Sequence, residues 1–164
     1  MNLIIKKISF FLLGVIILSA CTKKVGPLTD LRPKIPVTVT NAVDFRPDPT
    51  VSTPLTGGAI QIILSIPAGS GRTIKEITKV AASQTYAQIQ STGATGFYTS
   101  APVAGSGTTA TFNTSLTEYF AKIPISASNP AAASNKELAN RFYFLVTLDD
   151  NSVIVTEPVR VLVL

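Results

Sequence analysis

Along residues 59–66 apolar and polar side chains alternate: Ile60, Ile62, Leu64 and Ile66 share one parity, while Gln61 and Ser65 lie on the other with Ile63. A period of two over eight residues, opened by Gly57-Gly58 and closed by Pro67-Ala68-Gly69-Ser70-Gly71, predicts a strand bounded by turns. The same period returns near the end of the chain. Phe142, Phe144, Val146 and Leu148 alternate with Tyr143, Leu145 and Thr147, and Asp149-Asp150-Asn151-Ser152 supplies turn residues. Val153, Val155, Val159, Val161 and Val163 then share one parity, which predicts a C-terminal hairpin with those valines on one face. Pro158 cannot donate to a ladder and is expected to mark a bulge or a change of pairing partner.

Between these ends the pattern is shorter and more broken. Val37–Thr40 reads as a first strand resuming at Val43–Phe45, followed by a loop with Pro47, Pro49 and Pro54 that belongs at an edge or a crossing. Residues 73–81 admit two readings. Thr, Ile and Val dominate and favour a strand, but Thr73 and Glu76 fit a capping box, and Ile74, Ile77, Val80 and Ala81 could share a helix face. Short strands are expected at 85–90, 97–99 and 108–113. Ser115 and Glu118 form a second capping-box pair, predicting one helical turn near 115–121 with Leu116, Tyr119 and Phe120 turned inward. The run SerAlaSerAsnProAlaAlaAlaSerAsn at 126–135 is a low-complexity loop, expected to be mobile.

Composition agrees with strands. Hydrophobic residues make up 46% of the chain and charged residues only 14%, against about 25% in an average soluble domain. Thr, Ser, Ala, Val and Ile fill the difference, which suits pleated strands and polar turns better than surface helices. About seven strands spaced by glycine and proline turns define an all-β chain, an antiparallel Greek-key β-sandwich. The pattern over residues 37–164 resembles immunoglobulin-like or fibronectin-type domains of exported bacterial proteins, without their cysteine pair or tryptophan.

The first 36 residues are of another kind. Lys6 and Lys7 precede Ile8–Ala20, an uncharged run with the n-region and h-region of a signal peptide. As a helix that run would reach about 20 Å, short of the roughly 30 Å hydrocarbon core. It ends in Leu18-Ser19-Ala20-Cys21, which resembles the lipobox of bacterial lipoprotein precursors. The resemblance implies diacylglycerol on the Cys21 thiol, cleavage between Ala20 and Cys21, and commonly acylation of the freed amine. Two or three acyl chains, at roughly 0.8 kcal/mol per buried CH₂, would hold the chain on a bilayer. Thr22 in place of an aspartate after the cysteine suggests, by the same resemblance, an outer-membrane lipoprotein facing the periplasm. Lys23-Lys24 depart from the acidic residues that often accompany display on the cell surface. The expected organisation is thus a signal peptide at 1–20, lipidated Cys21 with a proline-rich tether to residue 36, and a sandwich domain at 37–164. Extended as polyproline II, the tether would reach roughly 45 Å.

Charge and candidate chemistry narrow the function. The formal charge of +5 falls to +3 once Lys6 and Lys7 leave, and the remaining basic residues are scattered, so no nucleic-acid footprint is present. The chain has no histidine and one cysteine, which removes Ser-His-Asp and Cys-His catalysis and zinc sites built from those residues. Glu76, Glu118, Glu137 and Glu157 form no motif. Asp149-Asp150-Asn151 lacks the glycine and distal glutamate of a calcium loop, and Gly69-Ser70-Gly71 and Gly105-Ser106-Gly107 lack the lysine of a phosphate loop. No cofactor or metal is expected. Tyr86, Tyr98 and Tyr143 are the candidates for stacking on a glycan, as in accessory lipoproteins of glycan uptake. The leading expectation is a noncatalytic structural or protein-interaction module of the cell envelope, meeting its partner through loops or a sheet edge.

Overall fold

The computed structural model describes residues 33–85, 89–93 and 96–164. The compact unit begins at Pro33, a little before the expected boundary, and Ile35 and Val37 already pack on the core.

Ten strands, one α-helix and a 3-10 turn at Ala68–Ser70 make up the described unit: β1 (Thr38–Val39), β2 (Thr50–Thr53), β3 (Ala59–Ser65), β4 (Ile74–Ser83), β5 (Val103–Ala104), β6 (Thr109–Ser115), α1 (Leu116–Lys122), β7 (Lys136–Glu137), β8 (Arg141–Leu148), β9 (Val153–Val155) and β10 (Arg160–Val163). The fold is all-β and sandwich-like. One layer has the order β1-β3-β6 and the other β5-β4-β8-β9, each antiparallel, and a third, mixed sheet has the order β2-β10-β7. The count exceeds seven because single runs are interrupted. β7 and β8 lie in succession beside β10, linked by Leu138 N–H to Val161 O (2.9 Å) and Phe142 N–H to Val159 O (2.8 Å).

One ladder departs from the expected antiparallel plan. β2 runs parallel to β10, with Val51 opposite Val161 and Thr53 opposite Val163. It lies inside the segment assigned above to a proline-rich loop; Pro49 and Pro54 flank the strand rather than interrupt it. Residues 43–45 form only an isolated bridge, Asp44 to Thr50.

Residues 74–83 form a strand, and the structure shows why the helical reading was tenable. Pairing with β8 shifts register between Ile74 and Glu76 and again between Ile77 and Lys79. Each bulge adds one residue and converts a spacing of two into three. Ile74, Ile77 and Val80 all point into the core, 3%, 0% and 1% exposed, although they are three apart.

The core joins both layers: Ile60, Ile62 and Leu64 from β3 and Phe112 from β6 meet Ile77 and Val80 from β4 and Phe142, Phe144 and Val146 from β8. Tyr143 and Leu145 face the other way, into a smaller cluster with Ala81 and Ile89. β8 is therefore buried on both faces. Beyond β9 the parity changes. Val153 is half exposed and Ile154 is buried, whereas Val159, Val161 and Val163 are all buried, so the five valines do not share one face. Pro158 sits at the change, within a one-residue register shift along β8: Leu145 lies opposite Val155 but Phe142 opposite Val159, after which β10 pairs with β2.

α1 begins as its sequence predicts: Ser115 Oγ accepts from Glu118 N–H at 3.1 Å. Gly58 has a φ of +56°, and a Cβ added there would come within 2.9 Å of Leu116 Cβ, so the position leaves no room for a side chain. Of the strand expected at 85–90, Thr85 is a bend and Ile89-Gln90 a turn, while 86–88 lie outside the described residues. At 97–99 only Thr99 bridges, to Val80.

Candidate functional site

The aromatic candidates divide sharply. Tyr98 is buried; its ring stands edge-on to Phe112 and Phe142 at 6.0 and 5.2 Å, and its hydroxyl pairs with Thr114 Oγ1 at 2.6 Å. Tyr143 is buried in the smaller cluster. Neither ring offers a face to a sugar, which corrects the stacking assignment for both. Tyr86 lies outside the described residues, as do Ala20 and Cys21.

Tyr98 instead carries a pH dependence. Burial pushes its phenol up to about 12, against the opposing effect of the Thr114 hydrogen bond. Burial raises Tyr119 as well. A raised phenol favours the neutral form in the folded state. Its contribution is complete below the ordinary value of 10.0 and is lost as pH rises through about 12. Urea midpoints measured across that window are expected to fall, and Tyr98→Phe to flatten the fall. An unchanged slope in the variant would exclude Tyr98 as its source.

Most carboxylates are occupied. Asp149 and Asp150 both pair with Arg72, and Asp150 Oδ1 accepts from Ser152 N–H at 2.9 Å, so this segment is a turn clamped by arginine. Glu118 pairs with Lys122 at 3.1 Å, Glu137 with Arg160 Nε at 2.8 Å, and Asp48 with Arg141 at 3.3 Å. Among the described residues no cluster of three or more His, Cys, Asp or Glu could hold a metal ion.

A different surface stands out around residues 43–49. Val43 N–H donates to Thr50 O and Thr50 N–H to Asp44 O, both at 2.7 Å, closing the segment into a loop. Phe45 N–H donates to Asp44 Oδ1 at 2.8 Å, and this bond foremost holds the Asp44 carboxyl below its usual value. From β10, Arg160 donates through Nη1 to Arg46 O at 3.1 Å and through its backbone to Pro49 O at 2.9 Å. The backbone is tied down, yet Val43 and Phe45 are 62% and 59% exposed.

Beside this loop lies a cleft of about 80 Å³ lined by Val37, Thr38, Val39, Phe45, Pro49, Thr156 and Glu157. Thr156 is only 7% exposed, and among the described residues its Oγ1 is the buried side-chain atom without a hydrogen-bond partner. Leaving a hydroxyl unpaired costs about 1–3 kcal/mol. The sequence carried no motif for this cleft, since its walls come from three separate segments.

No helix of the described residues is long and apolar enough to cross a membrane. In comparisons with known proteins, no family model matches this chain, and neither does any curated protein or solved structure.

Proposed function

We propose that this chain is an exported lipoprotein, attached through acyl chains on Cys21 to the bacterial cell envelope, whose β-sandwich is a noncatalytic module that binds another envelope protein. The observation that carries the anchor is the tetrapeptide Leu18-Ser19-Ala20-Cys21 placed directly after a charged start and an uncharged apolar run. A thiol is the side chain that forms a stable thioether at moderate pH, and no other cysteine competes for it. Thr22 supports the outer membrane, facing the periplasm, as the destination.

Three features support the module. The chain has no histidine. Most of its described carboxylates are held in ion pairs. Its exposed apolar side chains include Val43 and Phe45 on a loop whose backbone is fixed, the arrangement expected of a surface that contacts a partner.

The anchor is tested by the mass of the mature polypeptide. A start at Cys21 carrying acyl chains is expected, and Cys21→Ser is expected to abolish both the added mass and partition into detergent. An unmodified start, or a lipid-modified Cys21→Ser product, would refute the anchor.

A further inference from the structure

At the turn between β8 and β9 the geometry points to Asn151 as a site of spontaneous covalent modification, in which the Ser152 backbone nitrogen closes on the Asn151 side-chain amide and ammonia is lost. The nucleophile faces a base: Ser152 N–H donates to Asp150 Oδ1 at 2.9 Å, and the other oxygen of that carboxylate pairs with Arg72. The electrophile faces a cation. From β4, Lys75 Nζ donates to Asn151 Oδ1 at 3.0 Å, which sets a positive charge on the oxygen that becomes an oxyanion when Cγ is attacked. The leaving nitrogen is unheld, since Asn151 is exposed and its Nδ2 has no hydrogen-bond partner among the described residues.

The turn keeps these groups in place. Asn151 has a left-handed backbone, with a φ of +64°. Its N–H donates to Leu148 O at 3.0 Å, Leu148 N–H donates to Ser152 O at 2.9 Å, and Asp149 N–H donates to Thr73 O at 3.0 Å. Reacting groups fixed in this way do not have to find one another.

The step balances with water as its one co-reactant. A bond forms between Ser152 N and Asn151 Cγ as the amide proton passes to Asp150 Oδ1. The bond from Cγ to Nδ2 then breaks, and the nitrogen departs as ammonia with that proton. Water opens the cyclic imide at either carbonyl, leaving aspartate or isoaspartate at this position. Both products place a carboxylate where Lys75 now meets an amide, and isoaspartate lengthens the main chain by a methylene within the turn.

Other asparagines lack part of the set. Asn129 precedes Pro130, which has no N–H to give up. Asn41 has both ends of its amide bonded to the β3 backbone, at 2.8 and 3.0 Å. Asn135 is exposed and left-handed, with a φ of +58°, but the N–H that follows it donates to Ala133 O at 3.2 Å, and no cation meets its side chain. It is the internal reference.

The test incubates the full-length mature protein in detergent micelles at neutral pH and follows peptide masses, with enzymatic methylation to detect isoaspartate. Conversion at Asn151 is expected to outrun conversion at Asn135 by about tenfold, and Lys75→Met and Asp150→Ala are each expected to slow it by about tenfold, the scale of one hydrogen bond to a charged group. In urea the Lys75→Met effect is expected to vanish, because Lys75 and Asn151 are brought together only by the pairing of β4 with β8. Equal rates at Asn151 and Asn135, a Lys75→Met rate equal to wild type, an equal slowing in urea, a faster rate in Asp150→Ala, or a peptide map in which Lys75 itself is joined to Asn151 would overturn the proposal. Neither lipid on Cys21 nor an envelope partner takes part, so the result is independent of the function proposed above.

Discussion

Replacing Phe142 by alanine is expected to cost about 3–5 kcal/mol, a large share of the roughly 5–15 kcal/mol that stabilises a domain of this kind. Phe142 is fully buried, and its ring lies 5.2 Å from Tyr98, 5.8 Å from Phe112, 6.2 Å from Tyr119 and 6.5 Å from Phe144. Its backbone also exchanges two 2.8 Å hydrogen bonds with Val159, where β8 meets the start of β10. Truncation thus opens a cavity where both layers, α1 and the C-terminal strand converge, and rings held on several sides cannot collapse into it. Urea unfolding followed by circular dichroism measures the loss as a lowered midpoint. Phe45→Ala is the contrasting variant: that ring is 59% exposed, so its removal is expected to change stability by no more than about 0.5 kcal/mol. Equal losses in the two variants would mean that the core is not organised around Phe142.

The difference between those phenylalanines was only half legible in the chain. Alternation placed Phe142 in a strand and its parity inside, because a period of two survives wherever a strand pairs without interruption. β3 and β8 meet that condition. β4 does not: its two bulges stretch the core spacing to three, which is also the spacing of a helix face, so periodicity alone left it ambiguous. At the C-terminus the valines kept one parity in sequence, but the break at Pro158 lets the strand before it and the strand after it present opposite parities to the core.

Features made by distant partners left weaker marks. β2 is four residues between two prolines, and it exists through a parallel ladder with β10, more than 100 residues away. The cleft needs β1, the 43–49 loop and Thr156-Glu157 at once, and no spacing rule links them. The tyrosines show the opposite error. Their residue type suggested a binding face, while their position between apolar neighbours on strands or beside them placed Tyr98 and Tyr143 in the core.

Tyr119→Phe is expected to destabilise the domain by at least about 3 kcal/mol, more than the loss of one oxygen suggests, because three buried groups would lose this partner at about 1–3 kcal/mol each. The Tyr119 hydroxyl donates to Asn129 Oδ1 at 2.8 Å and accepts from Asn140 Nδ2 at 2.9 Å and from the Asn140 backbone N–H at 3.3 Å. Both asparagines are buried, and Asn129 Nδ2 also donates to Ile123 O at 2.8 Å. This network explains why the 126–135 segment, composed like a mobile loop, is fastened at its centre: α1 carries Tyr119 into the sandwich, and Asn129 hooks the loop onto it. Hydrogen exchange separates a local from a global effect. Amides of Ser126 and Asn129, which pair with each other's carbonyls at 2.9 and 3.1 Å, are expected to lose protection in Tyr119→Phe well before those of β3 and β8. If the single variant kept wild-type stability and wild-type exchange at Ser126, the hydroxyl would not be what secures the loop.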